Sequence, residues 1–221
     1  MIDSGVHAAH PRIQGVAGGV SITRDGREEA DYLDRIGHGT AVTAVIREKA
    51  PDAEIFVVRI FHDRLAARIE TLVRAIEWCV ENGMHLINLS LGTSNPDHEP
   101  VLQRAVEQVL LKGITLVAAY EDSGVRWLPG CLRNLPQAQQ VGQAVPPVNR
   151  PKAGLAPVAL DWDCPRDEYR MAALPDGRTL YRASGYPRPI PGVPPERNLK
   201  GISFAVANVT GILAREWRLG E

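Results

Sequence analysis

The chain has 221 residues, 44% of them hydrophobic, with 25 basic and 26 acidic side chains and a net charge of −1. That length suits one domain with a sizeable core, and the balanced charge gives no electrostatic reason for a nucleic acid or an anionic membrane as main partner. No apolar run approaches a membrane span, and the opening "MIDSGVHAAHPRI" lacks the basic leader and apolar segment of a signal peptide.

The first two-thirds alternates strand and helix patterns. The opening "MI" can close a strand at Asp3, and "RIGHGTAVTAVI" opens a helix near His38 with Val42 and Val45 on its apolar face. "AEIFVVRI" (53–60) is a short β-branched run and predicts a buried strand. In "RIETLVRAIEWCVENG" (68–83), Leu72, Val73, Ile76, Cys79 and Val80 have helical spacing, and Gly83 is a natural stop. "HLINLSLG" (85–92) predicts a second strand, "EPVLQRAVEQVLLKG" (99–113) another amphipathic helix, and "ITLVAAY" (114–120) a third strand. This order implies right-handed βαβ crossovers and a parallel sheet.

Composition changes after about residue 125. "QAVPPVNRPKAG" and "GYPRPIPGVPPERN" are dense in proline, and ordered irregular structure with short strands at "APVALDW" (156–162) and "RTLYRAS" (178–184) is expected over about 125–200. Trp162, Tyr169, Tyr181 and Tyr186 give this section something to bury. A last helix is expected over roughly 203–217. The three cysteines, Cys79, Cys131 and Cys164, are odd in number and widely spaced, which predicts reduced thiols in a cytoplasmic protein. His7, His10, His62, His85 and His98 are scattered and form no metal-type cluster.

Ligands of open parallel sheets collect beyond the carboxyl ends of the strands. Asp3, His38 and Ser203 all belong at that edge. An acid, an imidazole and a hydroxyl there can form a nucleophilic triad: the imidazole takes the serine proton while the acid fixes its tautomer and stabilises its charged form. Each has a simpler reading alone. Asp3 in "DSG" suits a turn, His38 between two glycines can cap a helix, and Ser203 is a good N-cap. Three such positions, each with a nearby glycine, argue for a shared role.

These segments resemble the subtilisin-like serine peptidases. "MIDSGV" (1–6) is similar to the family's aspartate motif, "GHGTAVTAVI" (37–46) to its histidine motif, and "INLSLG" (87–92) to its substrate-binding strand. "GISFAVANVTGI" (201–212) is similar to the serine motif G-T-S-M-A-x-P. The resemblance implies a three-layer α/β fold, a mostly parallel twisted sheet with helices on both faces. It implies a single subtilisin-like peptidase domain over 1–221, with a truncated N-terminal strand. Asp3 would be the orienting acid, His38 the general base and Ser203 the nucleophile. Ser90, Leu91 and Gly92 would form one wall of a cleft where an extended peptide or protein substrate pairs as an added strand. Pro129 and Gly130, in "LPG" (128–130), would help line the first specificity pocket, and Gly39 would allow close backbone approach beside the histidine.

Four departures from the family pattern stand out. In "VAAYEDSG" (117–124), Asp122 occupies the position of the asparagine that donates to the oxyanion, with Glu121 just before it. An ionised aspartate has no proton to donate, whereas a protonated one does. In the serine motif, Ile202, Phe204, Ala207 and Asn208 replace the family's Thr, Met, Pro and His. The chain begins two residues before Asp3, without the inhibitory prodomain of secreted relatives, and "VIREKAPDAEIF" (45–56) passes through without a calcium loop. No metal or cofactor is expected. The function implied is an intracellular serine endopeptidase that acts through an acyl-enzyme on Ser203 and matures a precursor peptide. Glu121 and Asp122 would favour a basic residue before the cut. The alternative is a catalytically impaired homologue that holds extended peptides along 90–92. An esterase would lack its G-x-S-x-G elbow.

Overall fold

The computed structural model describes residues 1–133, 135, 153–189, 192–194 and 197–218. Most of "QAVPPVNRPKAG", and residues 190–191 and 195–196 of "GYPRPIPGVPPERN", lie outside them.

The strands are β1 (Ile2–Asp3), β2 (Gly18–Ile22), β3 (Glu28–Glu29), β4 (Phe56–Arg59), β5 (Leu86–Leu89), β6 (Thr115–Asp122), β7 (Val125–Arg126), β8 (Gly154–Leu160), β9 (Arg170–Ala173) and β10 (Thr179–Ala183). They form one sheet in the order β3-β2-β4-β1-β5-β6-β8-β10-β9, with β7 paired to β6. Neighbours from β2 through β10 pair in parallel, while β3, β7 and β9 add antiparallel partners. Although β1 has only two residues, it fills the space between β4 and β5. Ile2 is in register with Val58 on one side and Leu89 on the other.

The helices are α1 (His38–Lys49), α2 (Ile69–Glu81), α3 (Glu99–Leu111) and α4 (Ile202–Arg218). Leu72, Ile76 and Cys79 of α2 and Leu102, Val106 and Val109 of α3 pack with the sheet in one core. On the opposite face, α1 meets α4 through Val42, Val45 and Ile46 against Phe204 and Ala207. Val206, Val209 and Leu213 of α4 cover Val117 and Val158. The result is helix, sheet, helix: three layers held by burial of the apolar stripes. Among the described residues no helix is long and apolar enough to cross a membrane.

The helices and buried strands follow the sequence pattern closely. The proline-rich section holds the two expected strands, β8 and β10, which extend the parallel sheet, and adds β9, which closes its edge. The layout brings the ends of β1 and β5, and the starts of α1 and α4, to the carboxyl edge of the sheet. Ligands gather there in this architecture.

Candidate active site

Strand β1 delivers Asp3 to the carboxyl edge with its side chain fully buried. Asp3 Oδ1 accepts the backbone N–H of Ser4 at 2.7 Å and lies 2.7 Å from Nδ1 of His38, the first residue of α1. A carboxylate opposite Nδ1 fixes the proton there and leaves Nε2 as the basic nitrogen. Among the described residues, neither His38 Nε2 nor the buried Asp3 Oδ2 has a hydrogen-bond partner. Burial works against the charged imidazole. The hydrogen bond to Asp3, with the charges of Asp3 and Asp34, outweighs it and raises the His38 pKa above its ordinary value.

Helix α1 can approach β1 because residue 39 is glycine. A methyl group there would run into the carbonyl of Gly5 and lie 3.2 Å from the backbone nitrogen of Ser4. The Gly39 N–H instead donates to Ser4 Oγ at 2.8 Å, and that hydroxyl donates to Asp34 Oδ1 at 2.9 Å.

Asp34 is a site residue that the sequence reading missed. It is 2% exposed, and it accepts five hydrogen bonds: from Ser4 Oγ, the N–H of Ile36 and Gly37 on Oδ1, and the N–H and Oγ1 of Thr40 on Oδ2. These satisfy free N–H groups at the start of α1, where the N-cap residue Gly37 has no side chain to do so and Ser4 Oγ takes the N–H of Gly39. Desolvation works against the carboxylate, but the bonds from Thr40, Gly37 and Ile36 hold its pKa below the usual range. Its negative charge also opposes the positive helix end, which would otherwise disfavour a protonated imidazole at the first helical position. An acid three residues before a G-H-G helix start was the available signal.

Ser203 is the second residue of α4, after Gly201, and it is half-buried. Its hydroxyl donates to the carbonyl of Ser90 at 3.0 Å, and Ser90 Oγ donates back to the Ser203 carbonyl at 3.2 Å. The Ser203 hydroxyl therefore points to β5, and no hydrogen bond joins it to His38 among the described residues. The two motifs still meet through their neighbours: the buried Phe204 ring lies 6.1 Å from the His38 ring, centroid to centroid. Behind Ser90 runs a buried polar chain. Thr210 Oγ1 donates to Asn88 Oδ1 at 2.9 Å, and Asn88 Nδ2 donates to Ser90 Oγ at 2.8 Å. Asn88 and Thr210 were also missed; for Asn88, a polar residue inside a buried strand was the signal.

Residues 90–92 follow directly from β5. Leu91 and Gly92 are half-buried, and Thr93 bridges to Leu128 on the far side. Leu128, Pro129 and Gly130 are buried, because the chain at Gly130 packs against the backbone of Ala119 and Tyr120 with no room for a side chain. Glu121 and Asp122 end β6 and pair with Arg126 and Val125 of β7. Glu121 is exposed; Asp122 is half-buried and accepts the Ser123 hydroxyl at 2.9 Å. Asp122 borders a cavity of about 360 Å³ with Leu160, Trp162 and Arg182. No hydrogen bond connects it to Ser203 among the described residues. Asn208, in place of the family's histidine, donates to the carbonyls of Ser184 at 2.8 Å and Tyr186 at 3.1 Å, tying that loop to α4.

The model of the Subtilase family matches residues 1–140, which carry Asp3, His38 and the 90–92 segment. The chain belongs to that family.

The subtilase is 32% identical over 133 residues to a thermostable alkaline protease of Halalkalibacterium halodurans, an alignment covering 56% of this chain and 35% of that protein. It is 30% identical to subtilisin DY of Bacillus licheniformis, again over 56% of this chain and 46% of that protein. The chain thus spans less than half the length of these relatives. Among solved structures, a lanthipeptide protease superposes with a TM-score of 0.64 at 16% identity, covering 99% of this chain and 72% of that one. A cold-adapted subtilisin-like serine proteinase gives 0.61 at 20% identity, covering 96% and 72%. These two likenesses establish the fold, which extends beyond the matched motifs to α4 and Ser203.

Proposed function

We propose that this subtilase is an intracellular serine endopeptidase acting through an acyl-enzyme on Ser203. The observation that carries the reading is the 2.7 Å contact between buried Asp3 and His38 Nδ1, with Nε2 unbonded among the described residues. Rotation of the Ser203 hydroxyl away from Ser90 would present its proton to Nε2. As Oγ bonds to the scissile carbonyl carbon, the proton passes to Nε2 and the carbonyl becomes an oxyanion. The N–H of Ser203 and the positive end of α4 favour that charge. Collapse breaks the C–N bond while His38 returns the proton to the leaving amine, and a water molecule then repeats the sequence to free the acid.

An extended peptide pairing along Ser90, Leu91 and Gly92 would supply orientation, with Pro129 and Gly130 behind the pocket that takes the residue before the cut. Glu121 and Asp122 at the end of β6 favour a basic residue there. Asp122 stands where a neutral donor would be most useful, so in its ionised form it slows acylation. The three cysteines are free thiols, which supports a reducing compartment. A precursor peptide is the proposed substrate, and one protein of the same fold is named a lanthipeptide protease.

The test is labelling by a serine-directed fluorophosphonate. Wild type should label between pH 6 and 9 and Ser203→Ala should not; an unlabelled, folded wild type would overturn the reading. One observation favours a second reading. The hydroxyl of Ser203 is bonded to Ser90, so a chain in which it stays there would bind extended peptides along 90–92 without cleaving them.

A further inference from the structure

A cavity of about 610 Å³ runs along the outer face of α1, and none of the roles above uses it. Its volume is that of a ligand site. One end is bounded by Gly37, which precedes His38, and by Leu199, four residues before Ser203. The other end reaches Glu48 on α1. A helix rises 1.5 Å per residue, so the groove follows α1 for about 16 Å, the span of about five extended residues.

The groove walls are held in place. The loop carrying His10 and Arg12 forms one side; Arg47 fixes its far end by donating to the carbonyls of Ile13 at 3.0 Å and Gly15 at 3.1 Å. The opposite side is Pro187 and Arg188 with Asn198 and Leu199. There the Asn198 amide donates to the Arg188 carbonyl, and Arg166 donates to that of Pro187.

The charge of the lining is unbalanced. Arg12, Arg47 and Arg188 face a single carboxylate, Glu48. Glu48 is already paired with Arg166 at 3.0 Å and Arg188 at 3.9 Å. The charge of Arg47 is partly offset by nearby Asp52. Arg12 is exposed, and among the described residues its guanidinium has no partner. The groove therefore offers an apolar floor with one unengaged cation and one shared cation.

We infer that this groove binds an acidic segment of the peptide substrate on the leaving side of the scissile bond. The inference rests on the proposed peptidase reading for its direction. His38 hands its proton to the leaving amine, so that part of the substrate departs on the imidazole side, where the groove opens. The acyl side lies along 90–92 at the end of β5. Carboxylates about two to five residues beyond the cut would reach Arg12 and Arg188, while apolar side chains cover Ala41, Ala44 and Leu199.

The test uses the full chain with a pair of fluorescein-labelled peptides. Each has a central Arg; one carries Asp through its C-terminal half and the other carries Asn at the same positions. Binding is read by anisotropy on Ser203→Ala, and kcat/KM on wild type. The Asp peptide should bind about five- to tenfold tighter, the sum of two exposed charge pairs, and the ratio should shrink as salt is raised. Arg12→Gln combined with Arg188→Gln should bring the ratio close to one, and Arg12→Lys should keep it. Equal binding of the two peptides, or a ratio that survives the double substitution, overturns the assignment. Because binding is measured without turnover, failure of the peptidase reading shows separately, as absent fluorophosphonate labelling and absent cleavage of both peptides.

Discussion

Asp34→Asn should both destabilise the protein and make its histidine less basic. The asparagine oxygen can still accept from Ser4, Ile36 and Gly37, but without the charge, which costs roughly 0.5 kcal/mol for each of the three bonds. The amide nitrogen then faces the Thr40 N–H, two donors with no acceptor between them, at a cost of about 1–3 kcal/mol in a buried setting. The sum is about 3 kcal/mol. For a chain of this size that is a fall in Tm of roughly 6–12 °C, readable by scanning calorimetry. The charge of Asp34 is one cause of the raised His38 pKa, so its removal should also move the acid limb of fluorophosphonate labelling to lower pH. The base must be neutral to work, so in wild type that limb lies above the ordinary imidazole value of about 6.5. Stability runs the other way. A raised folded-state pKa stabilises fully below about pH 6.5, and that contribution is lost as pH rises through the folded value. A Tm within about 2 °C of wild type, together with an unmoved limb, would refute the reasoning.

Gly39→Ala should push α1 away from β1 and open the Asp3–His38 contact. Expected are a stability loss of about 1–3 kcal/mol and a drop in labelling rate at temperatures where the variant remains folded; chemical denaturation and labelling check both. On the proposed role of residue 122 at the oxyanion, Asp122→Asn should raise the labelling rate by about tenfold or more, because an amide that can donate replaces a carboxylate that cannot. An unchanged rate from pH 6 to 9 would mean that residue 122 does not face the oxyanion. Lys49 is buried on α1, its ammonium 3.1 Å from an Asp167 that is 69% exposed, and burial lowers its pKa. Lys49→Met should therefore leave Asp167 well solvated, remove a desolvated charge and raise Tm by roughly 2–4 °C, measured by calorimetry.

Much of the architecture is legible along the chain. The apolar spacing of 68–83 and 99–113 and the β-branched run of 53–60 locate α2, α3 and β4 within a few residues. Other strands escaped because their own residues do not ask for the conformation. Gly18 and Gly19 have little strand preference, and β2 is made by pairing in parallel with β4. Strand β9 is exposed along its whole length and exists as the antiparallel partner of β10.

The candidate site divides in the same way. Asp3, His38 and Ser203 stand out as residue types in motifs, because the chemistry needs an acid, an imidazole and a hydroxyl whatever surrounds them. Periodicity and side-chain chemistry are properties of neighbouring residues, so they can be read from the string. Bonding partners and cavities are made by segments far apart in sequence. Only the tertiary structure could insert β1 between β4 and β5 so that Asp3 meets His38, tie Asp34 to Ser4 and the start of α1, turn the Ser203 hydroxyl onto Ser90, and set Arg12 and Arg188 on opposite walls of one groove.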